Sequence, residues 1–129
     1  MPLVRISLLT GKPPEHLRAI SDGVHRALVE TYNVPPGDRF HLFHQHERHE
    51  FVYDADHLGI HRSDDVVFIH ITAGHWRDTP TKQAFYKRLA ALLADKPGLR
   101  PEDVQVILSP NERADWSFGN GLASYVKEC

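Results

Sequence analysis

A chain of 129 residues is long enough for one buried core and too short for two independent ones. Its 15 Lys and Arg against 17 Asp and Glu give a formal charge of −2, which excludes a bulk positive field for nucleic acid or an anionic membrane. A hydrophobic content of 41% fits a folded globular chain, and the single cysteine, Cys129, excludes both an intramolecular disulfide and a cysteine-built zinc site.

No basic segment followed by an apolar run opens the chain, and no stretch of about 18 apolar residues occurs. The expectation is a soluble cytoplasmic protein. Leu3 to Leu9 alternates Val4, Ile6 and Leu8 against Arg5 and Ser7, which predicts a strand with one buried face. Gly11, Lys12, Pro13 and Pro14 break it, and Pro14 suits a first helical turn, where its missing N–H costs little. Leu17, Ile20, Val24, Ala27, Leu28 and Tyr32 then recur at helical spacing, until Pro35, Pro36 and Gly37 stop the helix. A short strand is expected over Arg39 to Phe43.

The second half repeats this order. Val66 to Thr72 reads as a strand, with Thr79 as helix cap and Pro80 as first helical residue, and Phe85, Leu89, Leu92 and Leu93 lining the helix face. Pro97, Gly98 and Pro101 end that helix, and Val104 to Ser109 reads as a last strand before a glycine-punctuated loop carrying Trp116 and Phe118. Val4 falls on Val67, Gly11 on Gly74 and Asp38 on Asp103, so an internal duplication over about 2–62 and 63–129 is the economical account of one domain, 1–129. Two such units joined edge to edge predict an α/β fold: a four-stranded mixed sheet with both helices on one face. An apolar second face left bare would call for a partner subunit.

One residue breaks the repeat. The position matching Pro2 in the second half is Asp65, inside the chain. Methionine before proline is normally removed during synthesis, which would leave Pro2 with a free secondary amine able to act as acid, base or nucleophile. An apolar setting disfavours the cationic amine and a neighbouring carboxylate favours it.

The blocks PLVRISLLTG, VPPGDRF, Gln45-His46, LGIHRSDDVVFI, Phe85 to Lys87 and ADWSFGNG keep their order and nearly constant spacing along the chain. In them the sequence resembles the tautomerase superfamily, and within it malonate semialdehyde decarboxylase. The resemblance implies tandem β-α-β units, a homotrimer whose sheets enclose a central core, no cofactor, and a small oxo acid as substrate. It implies catalytic roles for Pro2 and for Asp38, which lies in VPPGDRF. The family's Arg-x-Arg after the third strand falls on His75, Trp76 and Arg77 with one inserted residue, so Arg77 keeps the second arginine and His75 replaces the first. Arginine grips a carboxylate through a permanent planar fork, whereas histidine is only partly charged at neutral pH. Trp116 and Phe118 match an aromatic wall beside the substrate, and His46 matches a family histidine without an assigned role. The implied chemistry is decarboxylation or hydration through Pro2, with keto–enol tautomerisation of a 2-oxo acid by neutral Pro2 as the alternative.

Two readings of another class compete. His41, His44, His46 and His49 place four imidazoles within nine residues, a candidate zinc, copper or nickel site, although on a strand His44 and His46 share a face that His41 does not. A noncatalytic trimeric binding protein of the same fold is the other.

Overall fold

The computed structural model describes residues 1–126, so Cys129 lies outside the described residues. The chain runs β1 (Leu3–Leu9), α1 (Pro14–Tyr32), β2 (Phe40–His46), β3 (Val67–Gly74), α2 (Thr79–Asp95) and β4 (Val104–Asn111), with short 3-10 turns between. The strands form one sheet in the order β2-β1-β3-β4. β1 pairs β2 in parallel, β3 pairs β4 in parallel, and β1 and β3 meet antiparallel at the centre. At that seam Ile6 faces Ile69, the residue at the matching place of the second β-α-β unit.

Alternation sorts the two faces as expected. Val4, Ile6 and Leu8 of β1 and Val67, Ile69 and Ile71 of β3 are buried against Ile20, Val24 and Leu28 of α1 and Phe85, Leu89 and Leu93 of α2. The helices approach closely because Gly23 has no side chain: a Cβ there would stand 2.7 Å from Leu93 Cδ2. α1 begins at Pro14 and closes on Asn33 in the left-handed region, φ 56°.

Four boundaries differ from the sequence pattern. β2 starts at Phe40 and continues to His46, because its pairing with β1 runs on to Leu9 opposite His46 and supplies backbone hydrogen bonds whatever the side chains. β3 starts at Val67 and extends through Ala73 and Gly74, while β4 extends through Pro110 and Asn111; these four residues pair with one another, and Pro110 is tolerated because β4 is an edge strand. α2 is capped by Asp78, whose carboxylate accepts from the Thr81 N–H at 3.0 Å, so Thr79 is already the first helical residue.

The helix-free face is less apolar than expected. Leu3, Phe40, Leu42 and Ile107 share it with Arg5, Ser7, His44, His70, Thr72 and Ser109, and His70 is hydrogen-bonded to Ser109 at 2.6 Å. One end is covered by the loop between β2 and β3, where Phe51 and Val66 pack on Leu9 with Tyr53 and Phe68 alongside. Among the described residues no helix is long and apolar enough to cross a membrane.

Candidate active site

Register brings four chain segments to one end of the sheet. Leu3 lies opposite both Phe40 and Thr72, and Gly74 lies opposite Asn111. The residues just before β1 and β2 and just after β3 and β4 therefore converge, and these are the segments carrying Pro2, Asp38, His75 to Arg77, and the Trp116 loop.

Asp38 sits on a tight turn closed by its own N–H donating to the Pro35 carbonyl at 2.9 Å. Buried His25 fastens that turn to α1, its Nε2–H donating to the Pro36 carbonyl at 2.8 Å. Arg39, the next residue, pairs with Asp22 of α1 at 2.6 Å. The Asp38 side chain is only 12% exposed, and its Oδ2 lies 2.9 Å from the amino group of Met1. Its Oδ1 is buried and has no partner among the described residues. Pro2 itself is buried. This ammonium belongs to Met1, one residue ahead of Pro2, and shows Asp38 placed to accept from an amine just before β1.

Arg77 is half-buried after β3. Its Nη2 donates to the Tyr32 carbonyl at 3.1 Å, at the negative C-terminal end of α1, and its guanidinium lies 4.9 Å from the centre of the Tyr32 ring. Burial lowers its pKa, with Tyr32 and Tyr125 acting in opposition, yet arginine remains a cation under any working condition. Arg77 also lines a cleft of about 390 Å³ with Thr31, Tyr32, Asn33, Trp76, Asp78 and Thr81. The larger groove of about 490 Å³ between the helices is lined by charges of both signs, Glu15, Arg18, Asp22, Arg26, Asp95 and Lys96, and contains none of the converging residues.

Trp116 and Phe118 stack at 5.2 Å with their planes 8° apart. Trp116 Nε1–H donates to Asn111 Oδ1 at 3.0 Å, and Phe118 reaches the Phe40 ring at 6.1 Å, so the loop crosses from β4 towards the start of β2. His75 is at the same end of the sheet, but its ring is turned onto β4: its Nδ1–H and its backbone N–H both donate to the Asn111 carbonyl, at 3.0 and 3.1 Å.

Three residues here were given no role from the sequence. Tyr125 meets Phe118 edge-on at 5.5 Å, and its phenol is pushed up by burial and by Asp38, with Arg77 and Arg113 pulling the other way, so it remains a neutral donor. Trp76 and Arg113 are the others, the Arg113 guanidinium lying 4.7 Å from the centre of the Trp76 ring. The histidines disperse. His41 faces α1 and bonds Ser21 at 2.7 Å, His44 contacts Arg5 on the other face, and His46 stacks on Phe51. No group of three or more His, Cys, Asp or Glu among the described residues is placed to share a metal ion.

Two family models, both described as tautomerase enzyme, match residues 38–119 and 2–54. The probable tautomerase YusQ of Bacillus subtilis (strain 168) is 38% identical over 127 residues, 98% of this chain and 100% of the relative. The chain belongs to the tautomerase superfamily. A second Bacillus subtilis relative, the probable tautomerase YrdN, is 33% identical over 98% of this chain and 97% of its own. Among solved structures, a malonate semialdehyde decarboxylase described with decarboxylase and hydratase activities superposes with a TM-score of 0.90 at 35% identity over 95% of both chains. The FG41 malonate semialdehyde decarboxylase inhibited by 3-bromopropiolate gives 0.89 at 37% identity, covering 95% of this chain and 93% of that one. A fused 4-OT symmetric trimer shares the fold at a TM-score of 0.75 and 19% identity.

Proposed function

We propose that this tautomerase-superfamily member is a cofactor-independent cytoplasmic enzyme, working as a homotrimer, that decarboxylates or hydrates a small oxo acid through the amine of Pro2 once Met1 is removed. The observation that carries the reading is the 2.9 Å ion pair between Asp38 and the amino group ahead of β1. A carboxylate beside the Pro2 amine favours the ammonium form. That form donates to the 3-oxo group, while Arg77 holds the carboxylate. The bond from the α-carbon to the carboxylate breaks, carbon dioxide leaves, and its electron pair is stabilised as an enolate oxygen facing the ammonium. One proton returned to the α-carbon completes the balance: oxo acid anion plus a proton gives carbon dioxide and the shorter carbonyl compound. The stacked Trp116 and Phe118 exclude water from that charge separation.

A second reading draws support from His75, whose Nδ1 is committed to the Asn111 carbonyl where the decarboxylase pattern has an arginine, and from the relatives named probable tautomerase. In it neutral Pro2 is the base that moves a proton between carbon and oxygen of a 2-oxo acid. The pH profile separates them: acid catalysis falls as the amine deprotonates and base catalysis rises. The test is a spectrophotometric screen of small 3-oxo, 2-oxo and unsaturated acids, with intact mass confirming loss of Met1. Pro2→Ala should abolish turnover and leave thermal stability unchanged, and Arg77→Ala should raise KM. Equal turnover by Pro2→Ala and parent on the best substrate overturns the proposal.

A further inference from the structure

Two guanidiniums share one indole beside the site. The Arg77 and Arg113 guanidinium carbons lie 4.8 and 4.7 Å from the centre of the Trp76 ring. The ring itself lies against the backbone of Gly74, where a Cβ would stand 1.9 Å from its Cη2 and Cζ3. Trp76 is thus a shelf fixed by the end of β3.

The two cations on it are held differently. Arg77 is pinned by the Tyr32 carbonyl and ring. Arg113 is exposed, and among the described residues its guanidinium has no carboxylate within ion-pair distance and donates no hydrogen bond. Its backbone is nonetheless fixed, because Glu112 and Asp115 cap the turn Arg113–Asp115 reciprocally and Trp116 is tied to Asn111. The two nearest carboxylates in sequence are therefore engaged by backbone N–H groups rather than by Arg113. Asp38 is engaged by the chain's amino group, and Asp78, which lines the cleft with Arg77 and Trp76, accepts from the Thr81 N–H as the cap of α2.

That arrangement puts two cations on one indole, and among the described residues neither is paired with a carboxylate. Like charges repel, and a cation loses its own hydration when an aromatic face covers it, so such a pair is best satisfied by an incoming anion. We propose that Arg113 is a second substrate-binding residue, which together with Arg77 grips the carboxylate of the oxo acid while Trp76 sets the spacing of the two. The proposal rests on the reading that an oxo acid binds at this end of the sheet. His75, turned onto β4, is not required as the second grip.

The test uses malonate as a nonreacting probe, titrated calorimetrically into the full-length parent, Arg113→Gln, Arg113→Lys, Arg26→Gln and Pro2→Ala. Loss of one charge-assisted hydrogen-bonding partner should weaken malonate binding about tenfold or more in Arg113→Gln, with partial recovery in Arg113→Lys, which keeps charge but not the fork. Arg26, on the solvent side of α1 and paired with Glu30, controls for net charge and should change nothing. KM for the best oxo acid should rise with the malonate constant while kcat changes little. Malonate binding by Arg113→Gln within twofold of the parent, in a variant that melts normally, overturns the proposal. Pro2→Ala that still turns over would sink the proline mechanism and leave Arg113 standing; an inactive Pro2→Ala beside an Arg113→Gln that binds normally would do the reverse.

Discussion

Gly74→Ala tests how the site is built. An alanine Cβ would overlap the Trp76 ring at 1.9 to 2.4 Å, so the ring must leave its shelf. It has somewhere to go, since Trp76 is already 42% exposed. Swinging it fully out would return on the order of 100 Å² of apolar surface to water, about 2.5 kcal/mol at roughly 25 cal/mol per Å². Alanine's smaller entropy loss on folding returns about 0.5 to 1 kcal/mol. The expected net destabilisation is about 1.5 to 2 kcal/mol, a fall in Tm of about 5 °C for a chain of this size. Both guanidiniums lose their platform, so malonate affinity should fall severalfold together with the melting point. Denaturant melts and calorimetry on Gly74→Ala, Trp76→Ala and the double variant check this. Once Trp76 is alanine the clash is gone, and Gly74→Ala should become neutral or slightly stabilising. An unchanged cost in that background, or no cost in the parent, refutes the shelf.

Burial, with Arg39 and His25 adding to it, lowers the His41 pKa from 6.5 to about 4. Between those values the unfolded chain takes up a proton that the folded chain refuses, so stability falls as pH drops from 6.5 to 4, by about 2 kcal/mol after allowing for partial solvent screening. His41→Gln should lose that component, seen as a smaller difference between urea melts at pH 7 and pH 4.5. Asp103 is fully buried and accepts from the N–H and hydroxyl of Ser63, both at 2.6 Å. Asp103→Asn turns an acceptor into a donor facing donors and should cost about 2 to 4 kcal/mol in chemical denaturation. His25→Phe fills the same space without the donor to Pro36. It should cost about 1 to 2 kcal/mol and, by loosening the turn that carries Asp38, lower kcat in the assay of the proposed reaction, whereas His25→Gln should partly restore it.

Much of the fold was legible because its signals are local. Val4, Ile6 and Leu8 alternate in sequence and are buried together, and Pro14 opens α1. What was missed is decided by partners far along the chain. β2 runs on through His44, Gln45 and His46 because β1 is there to pair with it, and no hydrophobic period marks those residues. Gly74 and Pro110 lie beyond the strand ends expected at Thr72 and Ser109, yet each finds a place at the end of a parallel pair. The same division holds at the site. Pro2, Asp38 and Arg77 stand in recognisable blocks, whereas Arg113 is placed by the turn after β4 and Tyr125 by a loop whose path depends on Phe118 meeting Phe40, contacts that sequence spacing does not encode.

The asymmetry between the two β-α-β units explains why chemistry is expected at one end only. Asp38 and Asp103 occupy matching places, but their surroundings differ. Asp103 is fully buried, with Ser63 donating to both its oxygens and Arg100 3.9 Å away, so it has nothing to offer a ligand. Asp38 keeps one oxygen without a partner among the described residues and spends the other on the chain's amino group. The place matching Pro2 is Asp65, which pairs with Lys12. A backbone there has no amine to unmask, and an acid beside a lysine gives an ion pair in place of an acid–base centre. In the second unit the matching positions already have partners, Lys12 for Asp65 and Ser63 for Asp103, and the latter ties the loop before β3 to the start of β4. In the first they are left partly unsatisfied, and an unsatisfied carboxylate beside a cationic amine is the state that an incoming carbonyl substrate can use.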